Sequence, residues 1–144
     1  MIRFEEQPYG FRLTLADRVT RGELETWKAQ CEGLLALPRE PFGVLVDQRN
    51  LLPLDPDLHS LMVEIHQFVV ARGLQRSAVG VGHWEATRRL LLLSREVGAY
   101  AYERYLDASI LPDWERVALA WILEGVDPDA GRPGAAPIQE EPSA

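Results

Sequence analysis

The stretch FGVLVD, residues 42–47, is an unbroken apolar run ended by a carboxylate. A strand without polar alternation has no face to give to water, so it must be covered on both sides. That requirement excludes a half-exposed antiparallel sheet. It asks for a layered α/β domain, with helices packed on both faces of a largely parallel sheet. Residues 77–83, SAVGVGH, repeat the pattern and supply a second such strand.

The segments between these runs are helical. In TRGELETWKAQCEGLLAL, Thr20 and Glu23 have the spacing of a capping box. Leu24, Trp27, Cys31, Leu34 and Leu35 then share one face, which predicts a buried, structural Cys31. Pro38 and Pro41 close this helix. Asp55 and Pro56 read as the N-cap and first position of a second helix running to about Arg72-Gly73. WEATRRLLLLSREV is a third helix, ended by Gly98, and PDWERVALAWIL is a fourth, ended by Gly125. AYAYERYL alternates aromatics at Tyr100, Tyr102 and Tyr105, as a strand would. At the start, IRFEEQPYGFRLTLA reads as a hairpin turning at Pro8-Tyr9-Gly10, with Phe11, Leu13 and Leu15 on one face. The expected fold is α/β, a mixed and mostly parallel sheet of about five strands with four helices and right-handed crossovers. Residues 1–125 form the domain. Residues 126–144, rich in proline, alanine, glycine and acid, are expected to be a disordered tail.

Composition narrows the function classes. A net charge of −7 argues against a nucleic-acid binder. No apolar run approaches the roughly 20 residues of a bilayer span, and MIRFEEQPYG lacks the apolar core of a secretory leader. The lone Cys31 can form no internal disulfide, which suits a reducing cytoplasm.

Open α/β sheets present ligand sites at the carboxyl ends of their strands, so VLVDQRNLLPLDPDLHS is the junction to read for chemistry. This element order is similar to that of the STAS domain, and most of all to its stand-alone SpoIIAA-like branch, over residues 2 to 124. In anti-sigma factor antagonists of this kind a strand ends in aspartate, and a D-S-S-G motif opens the next helix. The second serine of that motif takes the phosphate. Here the strand ends at Asp47, and DPDL, Asp55 to Leu58, begins eight residues later at the same spacing. Asp55 matches the motif's aspartate, Pro56 replaces the first serine, Asp57 the phosphoacceptor and Leu58 the glycine. YERYLD followed by WERVALAWI resembles the final strand and helix of the same branch. The resemblance implies a regulatory, protein-binding module. The departure implies that the phosphorylation switch is missing, with Asp57 as a fixed carboxylate at the acceptor position. Acids in a first helical turn also complement the helix dipole whatever the function. Ser60, one turn further on, is the nearest hydroxyl.

Other chemistries find little support. His59 and His66 are seven residues apart, too far for the i, i+4 pairing of one metal, and His83 lies in another loop. Gly80 and Gly82 begin a G-x-G, but Glu85 holds the third glycine position and would repel a phosphate. No G-x-S-x-G elbow occurs. The expectation is a non-enzyme without metal or cofactor; an enzyme using loop carboxylates is the least favoured reading.

Two helices carry more apolar residues than one core face requires. In the second, Leu58, Leu61, Met62, Ile65 and Val69 make the core stripe, and His59, Val63, His66 and Val70 a second one beside it. In the third, if Leu90, Leu93 and Val97 face the core, Trp84, Arg88, Leu91 and Arg95 line up elsewhere. These two stripes, with Asp55 and Asp57, are the candidate binding residues for a protein partner or a homodimer seam. They suit a cytoplasmic interaction module without stable membrane insertion. The SpoIIAA-like branch is also similar in fold to CRAL-TRIO lipid carriers, which implies as an alternative a small carrier of a lipophilic ligand, held between the sheet and a movable helix pair.

Overall fold

The computed structural model describes residues 1–37 and 39–130. Its five strands are β1 (Ile2–Gln7), β2 (Gly10–Asp17), β3 (Phe42–Leu51), β4 (Leu74–Val81) and β5 (Glu103–Asp107). They form one sheet in the order in which they occur along the chain. The β1–β2 hairpin is antiparallel, and every later pairing is parallel. The helices are α1 (Arg21–Leu34), α2 (His59–Ala71), α3 (Trp84–Glu96) and α4 (Trp114–Glu124).

This order dictates the layers. Strands β2 to β5 advance stepwise in one direction, so right-handed crossovers put α1, α2 and α3 on the same face of the sheet. After β5 no strand remains to be reached, and α4 packs on the opposite face. Two cores result. Phe11, Leu13, Val44, Val46 and Val79 meet Leu24, Trp27, Cys31, Ile65 and Val69 on one side. Leu45, Ala78 and Leu106 meet Trp114, Ala118 and Ile122 on the other. Residues 42–47 are buried throughout, as their composition requires. The α1 capping box forms: the Thr20 side chain accepts from the Glu23 amide at 3.2 Å, and Glu23 accepts from the Thr20 amide at 2.9 Å.

The G-x-G of β4 is a packing device. A Cβ on Gly80 would stand 2.4 Å from the Trp114 ring, and one on Gly82 would stand 2.4 Å from the Arg49 carbonyl oxygen. The glycines let α4 and β3 approach β4 closely.

Several details depart from the sequence expectation. β3 continues past Asp47, pairing Gln48 with Val81 and Asn50 with Ala16. The last strand starts at Glu103: Gly98 takes a left-handed conformation (φ 82°) and Ala99–Ala101 form a 3-10 turn, so Tyr100 and Tyr102 precede the strand. Leu34 is exposed because α1 ends there and Leu35 takes the buried place. Asp55 does not cap α2. The chain enters that helix through a 3-10 turn, Pro56–Leu58, and the Asp55 carboxylate is taken by Arg18 instead. Asp127 and Asp129, expected to begin the tail, fold back on the domain. Arg104 donates to Asp127 at 2.8 and 3.2 Å, and the Tyr100 hydroxyl donates to Asp129 at 2.7 Å. The rest of the expected tail, residues 131–144, lies outside the described residues, as does Pro38.

Candidate functional site

The three aspartates of the β3–α2 junction do not converge. Asp47 turns toward α4, where Arg49 donates to both of its oxygens at 3.0 Å and Arg12 donates at 3.3 Å while also reaching Glu115. Burial pushes the Asp47 carboxyl up. The hydrogen bonds from Arg49 and the charges of Arg49 and Arg12 outweigh that, and hold it below the usual carboxylate range. The strand-end aspartate is thus the centre of a structural clamp. Asp55 and Asp57 are held elsewhere, at the start of α1. Arg18 donates to Asp55 at 3.0 and 3.3 Å, and Arg21 donates to the Asp57 backbone carbonyl at 3.1 Å. The Asp57 carboxylate itself is 76% exposed, with Arg21 at 3.9 Å. Ser60 is exposed one turn further on.

The α2 stripe is divided. His59 and Val63 face solvent, whereas Val70 is half-buried and His66 turns inward, its Nε2 2.9 Å from the Tyr102 hydroxyl. The α3 stripe is divided as well. Trp84 and Arg88 are exposed, and Leu91 is half-buried. The Arg95 guanidinium stacks on the Tyr100 ring at 4.4 Å, a ring that Arg104 also covers at 3.7 Å. Neither stripe is exposed along its whole length.

The reason is a roll of α3. Its buried residues are Thr87 and Ser94, while Leu93 and Val97 are 53% and 68% exposed. Of the expected inward face of Leu90, Leu93 and Val97, only Leu90 packs against the core, and the other two are corrected. The strand beneath is polar on this side, where Tyr105 meets Ser94 of α3. β5 sends Leu106 toward α4 and Tyr105 toward the α3 side, and the strand's alternation puts Glu103 and Asp107 on that side too. Glu103 is buried, accepting from Ser77 Oγ at 2.8 Å and from the Tyr105 hydroxyl. Burial first, and then the Glu103 carboxylate, push the Tyr105 phenol above its ordinary value. Ser94 stands beside the same phenol without a well-aligned hydrogen bond. A leucine face here would compete with this seam, and each polar group left unpaired would cost about 1–3 kcal/mol. Thr87 and Ser94 go inward, and Leu92 and Leu93 turn out.

Leu93 and the half-buried Leu90 line a cleft. It has a volume of about 360 Å³ and lies between residues 51–54 and α3, at the carboxyl ends of β3 and β4. Leu51, Leu54, Val81, Leu90 and Leu93 give it an apolar wall, with Arg89 at the rim. Leu52, also lining it, is 55% exposed. The sequence signals were NLLPL and RRLLLLSRE. They could be read as surplus apolar residues, but their facing could not, because it depends on β5. In the interior, the space between Trp27, Val46, His66, Val69 and Glu103 amounts to about 50 Å³. That admits water-sized molecules and is far below the 300–1,000 Å³ usual for ligand pockets. Cys31 is buried and its thiol is pushed up to about 12 by that burial. Among the described residues no group of three His, Cys, Asp or Glu is placed to hold a metal ion, and no helix is long and apolar enough to cross a membrane.

Sheet order, helix placement and an open cleft at the carboxyl edge together define an α/β domain of SpoIIAA-like fold. The chain is similar to the crystal structure of an uncharacterized DUF3478-family protein with a SpoIIAA-like fold from Shewanella loihica PV-4. The two share 15% sequence identity and a TM-score of 0.63, over 85% of this chain and 92% of that one. At that identity the likeness establishes the fold. No family model matches the sequence, and no curated protein does.

Proposed function

We propose that this chain is a non-enzymatic regulatory module that docks an apolar segment of a protein partner at the carboxyl edge of its sheet. The observation that carries this reading is the α3 cleft, where Leu52 and Leu93 stay more than half exposed around an apolar wall. Such surface is characteristic of an interaction site. The junction aspartates support it from the other side. Asp47 and Asp55 are committed to arginines, and the family's phosphoacceptor position carries a permanently ionisable, exposed Asp57. Docking here therefore works without a kinase switch at that position. A cytoplasmic setting fits the single buried thiol.

The cleft volume favours a second reading, a carrier of a small lipophilic ligand, because about 360 Å³ falls within the range of small-molecule sites. Such a ligand would lie in the α3 cleft and not beneath α2. Native mass spectrometry of freshly purified protein separates the two readings, a bound apolar mass of a few hundred daltons being the mark of the carrier. For the docking module, cross-linked pull-downs from the native organism are compared between wild type, Leu93→Asp and Leu37→Asp. Leu37 is exposed and remote from the cleft, so its variant is the surface control. Loss of a recovered protein in Leu93→Asp alone is expected. Identical recovery from all three chains would refute the reading.

A further inference from the structure

The outward face of α3 is complementary to its own reverse. Arg89, Leu92, Leu93 and Glu96 are all exposed. They are spaced i, i+3, i+4 and i+7, which puts them on one face of the helix. Neither Arg89 nor Glu96 forms an ion pair among the described residues. Along the helix the face runs cation, leucine, leucine, anion, and in reverse it runs anion, leucine, leucine, cation. Glu96 is also the last residue of α3, where a carboxylate opposes the helix dipole. Its neighbour Arg95 is turned onto the Tyr100 ring, so a cation brought against Glu96 from outside relieves that repulsion.

The charges select one arrangement of two such helices. In an antiparallel pair with its two-fold axis midway between Leu92 and Leu93, Arg89 comes level with the partner's Glu96, because both lie equally far from the axis. Leu92 comes level with the partner's Leu93. Each pairing occurs twice by symmetry. Arg88, also exposed, comes level with the partner's Val97 and meets no like charge. A slip of one helical turn in one direction sets Glu85 against the partner's Glu96. A slip in the other carries Arg89 past the end of the partner helix. A parallel pair would set arginine on arginine and glutamate on glutamate.

We infer that α3 pairs with α3 of a second copy of this chain, antiparallel and two-fold symmetric, with Leu92 and Leu93 at the centre and an Arg89–Glu96 pair at each end. The inference rests on the reading of this edge as a docking site and names a second copy as an occupant. Arg89 and Leu93 also line the cleft, so the second copy and another protein compete for the same residues. The 13 residues of α3 offer a face about 20 Å long and about 10 Å wide. That is well short of the roughly 800 Å² per partner of a stable complex, so the pair is reversible. The charge pairs set its register more than its strength.

The test is charge reversal, read by sedimentation velocity on the full chain from about 10 µM to about 500 µM. Wild type is expected to shift toward a dimer as its concentration rises. Arg89→Glu and Glu96→Arg should each weaken that association by about tenfold or more, since each sets like charges together at both ends of the seam. An equimolar mixture of the two single variants should regain it, as should the double variant alone, because in both the paired positions again differ in sign. Both positions are exposed, and recovery on mixing shows that the variant chains are folded. A wild-type chain that stays monomeric at about 500 µM overturns the inference. So does association that neither reversal weakens. A mixture no better associated than the single variants overturns the antiparallel register. The two readings fail separately. If wild type is monomeric while Leu93→Asp still loses a recovered protein, only the α3 pair falls. If the charge reversals behave as expected while Leu93→Asp loses no recovered protein, only the docking of a different protein falls.

Discussion

β5 carries one buried polar seam centred on Glu103, so Glu103→Leu is the perturbation that bears on it most. Glu103 accepts from the Ser77 and Tyr105 hydroxyls while only 7% exposed. Leucine is of similar bulk but accepts nothing, so two hydroxyls lose their partner. At about 1–3 kcal/mol for each stranded group, and with partial relief by water at the half-buried tyrosine, the loss should be about 2–4 kcal/mol. Urea unfolding followed by far-UV circular dichroism reads it as a lower midpoint with an unchanged slope. A thermal melt should fall by roughly 4 °C per kcal/mol for a domain of this size. Glu103→Gln keeps an acceptor and should lose less than about 1.5 kcal/mol. The decisive variant is the triple Glu103→Leu, Tyr105→Phe, Ser77→Ala, which removes both stranded hydroxyls together with their acceptor. It should recover most of the loss, because deleting both ends of a hydrogen bond is far cheaper than deleting one. A Glu103→Leu protein within about 0.5 kcal/mol of wild type, or a triple no better than the single, would refute the reading of Glu103 as the acceptor that holds this buried seam together.

Three further outcomes follow from the geometry. Gly80→Ala places a methyl 2.4 Å from Trp114 and should cost about 1–3 kcal/mol by overpacking, read as a lower urea midpoint. The Cys31 thiol, with its titration moved up to about 12, should be unreactive to a thiol reagent at pH 8 in the native protein and react fully in denaturant. The carboxyl of Asp47 titrates below its unfolded value of about 3.9. Its contribution to stability is therefore complete above that pH and is lost as pH falls through the lower folded value. Wild type should lose stability on acidification below about pH 4, and Asp47→Asn should flatten that fall, as measured by urea midpoints across the range.

Most of the fold was legible because it depends on local pattern. The apolar FGVLVD run required a strand covered on both faces, Thr20 and Glu23 marked the start of α1, and the alternation of strands and helices required the parallel sheet. The site was less legible because it depends on partners distant in sequence. Asp55 looks like a helix cap until Arg18 claims it, and His66 looks like part of a surface stripe until Tyr102 meets it. Leu93 looks like core in a run of four leucines. It faces out because α3 buries its small residues Thr87 and Ser94, the latter beside Tyr105 of β5, and that polar partner is distant in sequence. Tyr100 and Tyr102 alternate as a strand would, but Gly98 just before them permits the left-handed turn that delays the strand.

The central claim is that the cleft between residues 51–54 and α3 receives a protein partner. A photo-crosslinking amino acid placed at Leu93, with a control at Leu37, tests it in living cells of the source organism. A discrete cross-linked species heavier than one chain is expected from position 93, with none from position 37. No such species from position 93, or the same yield from both positions, would contradict it.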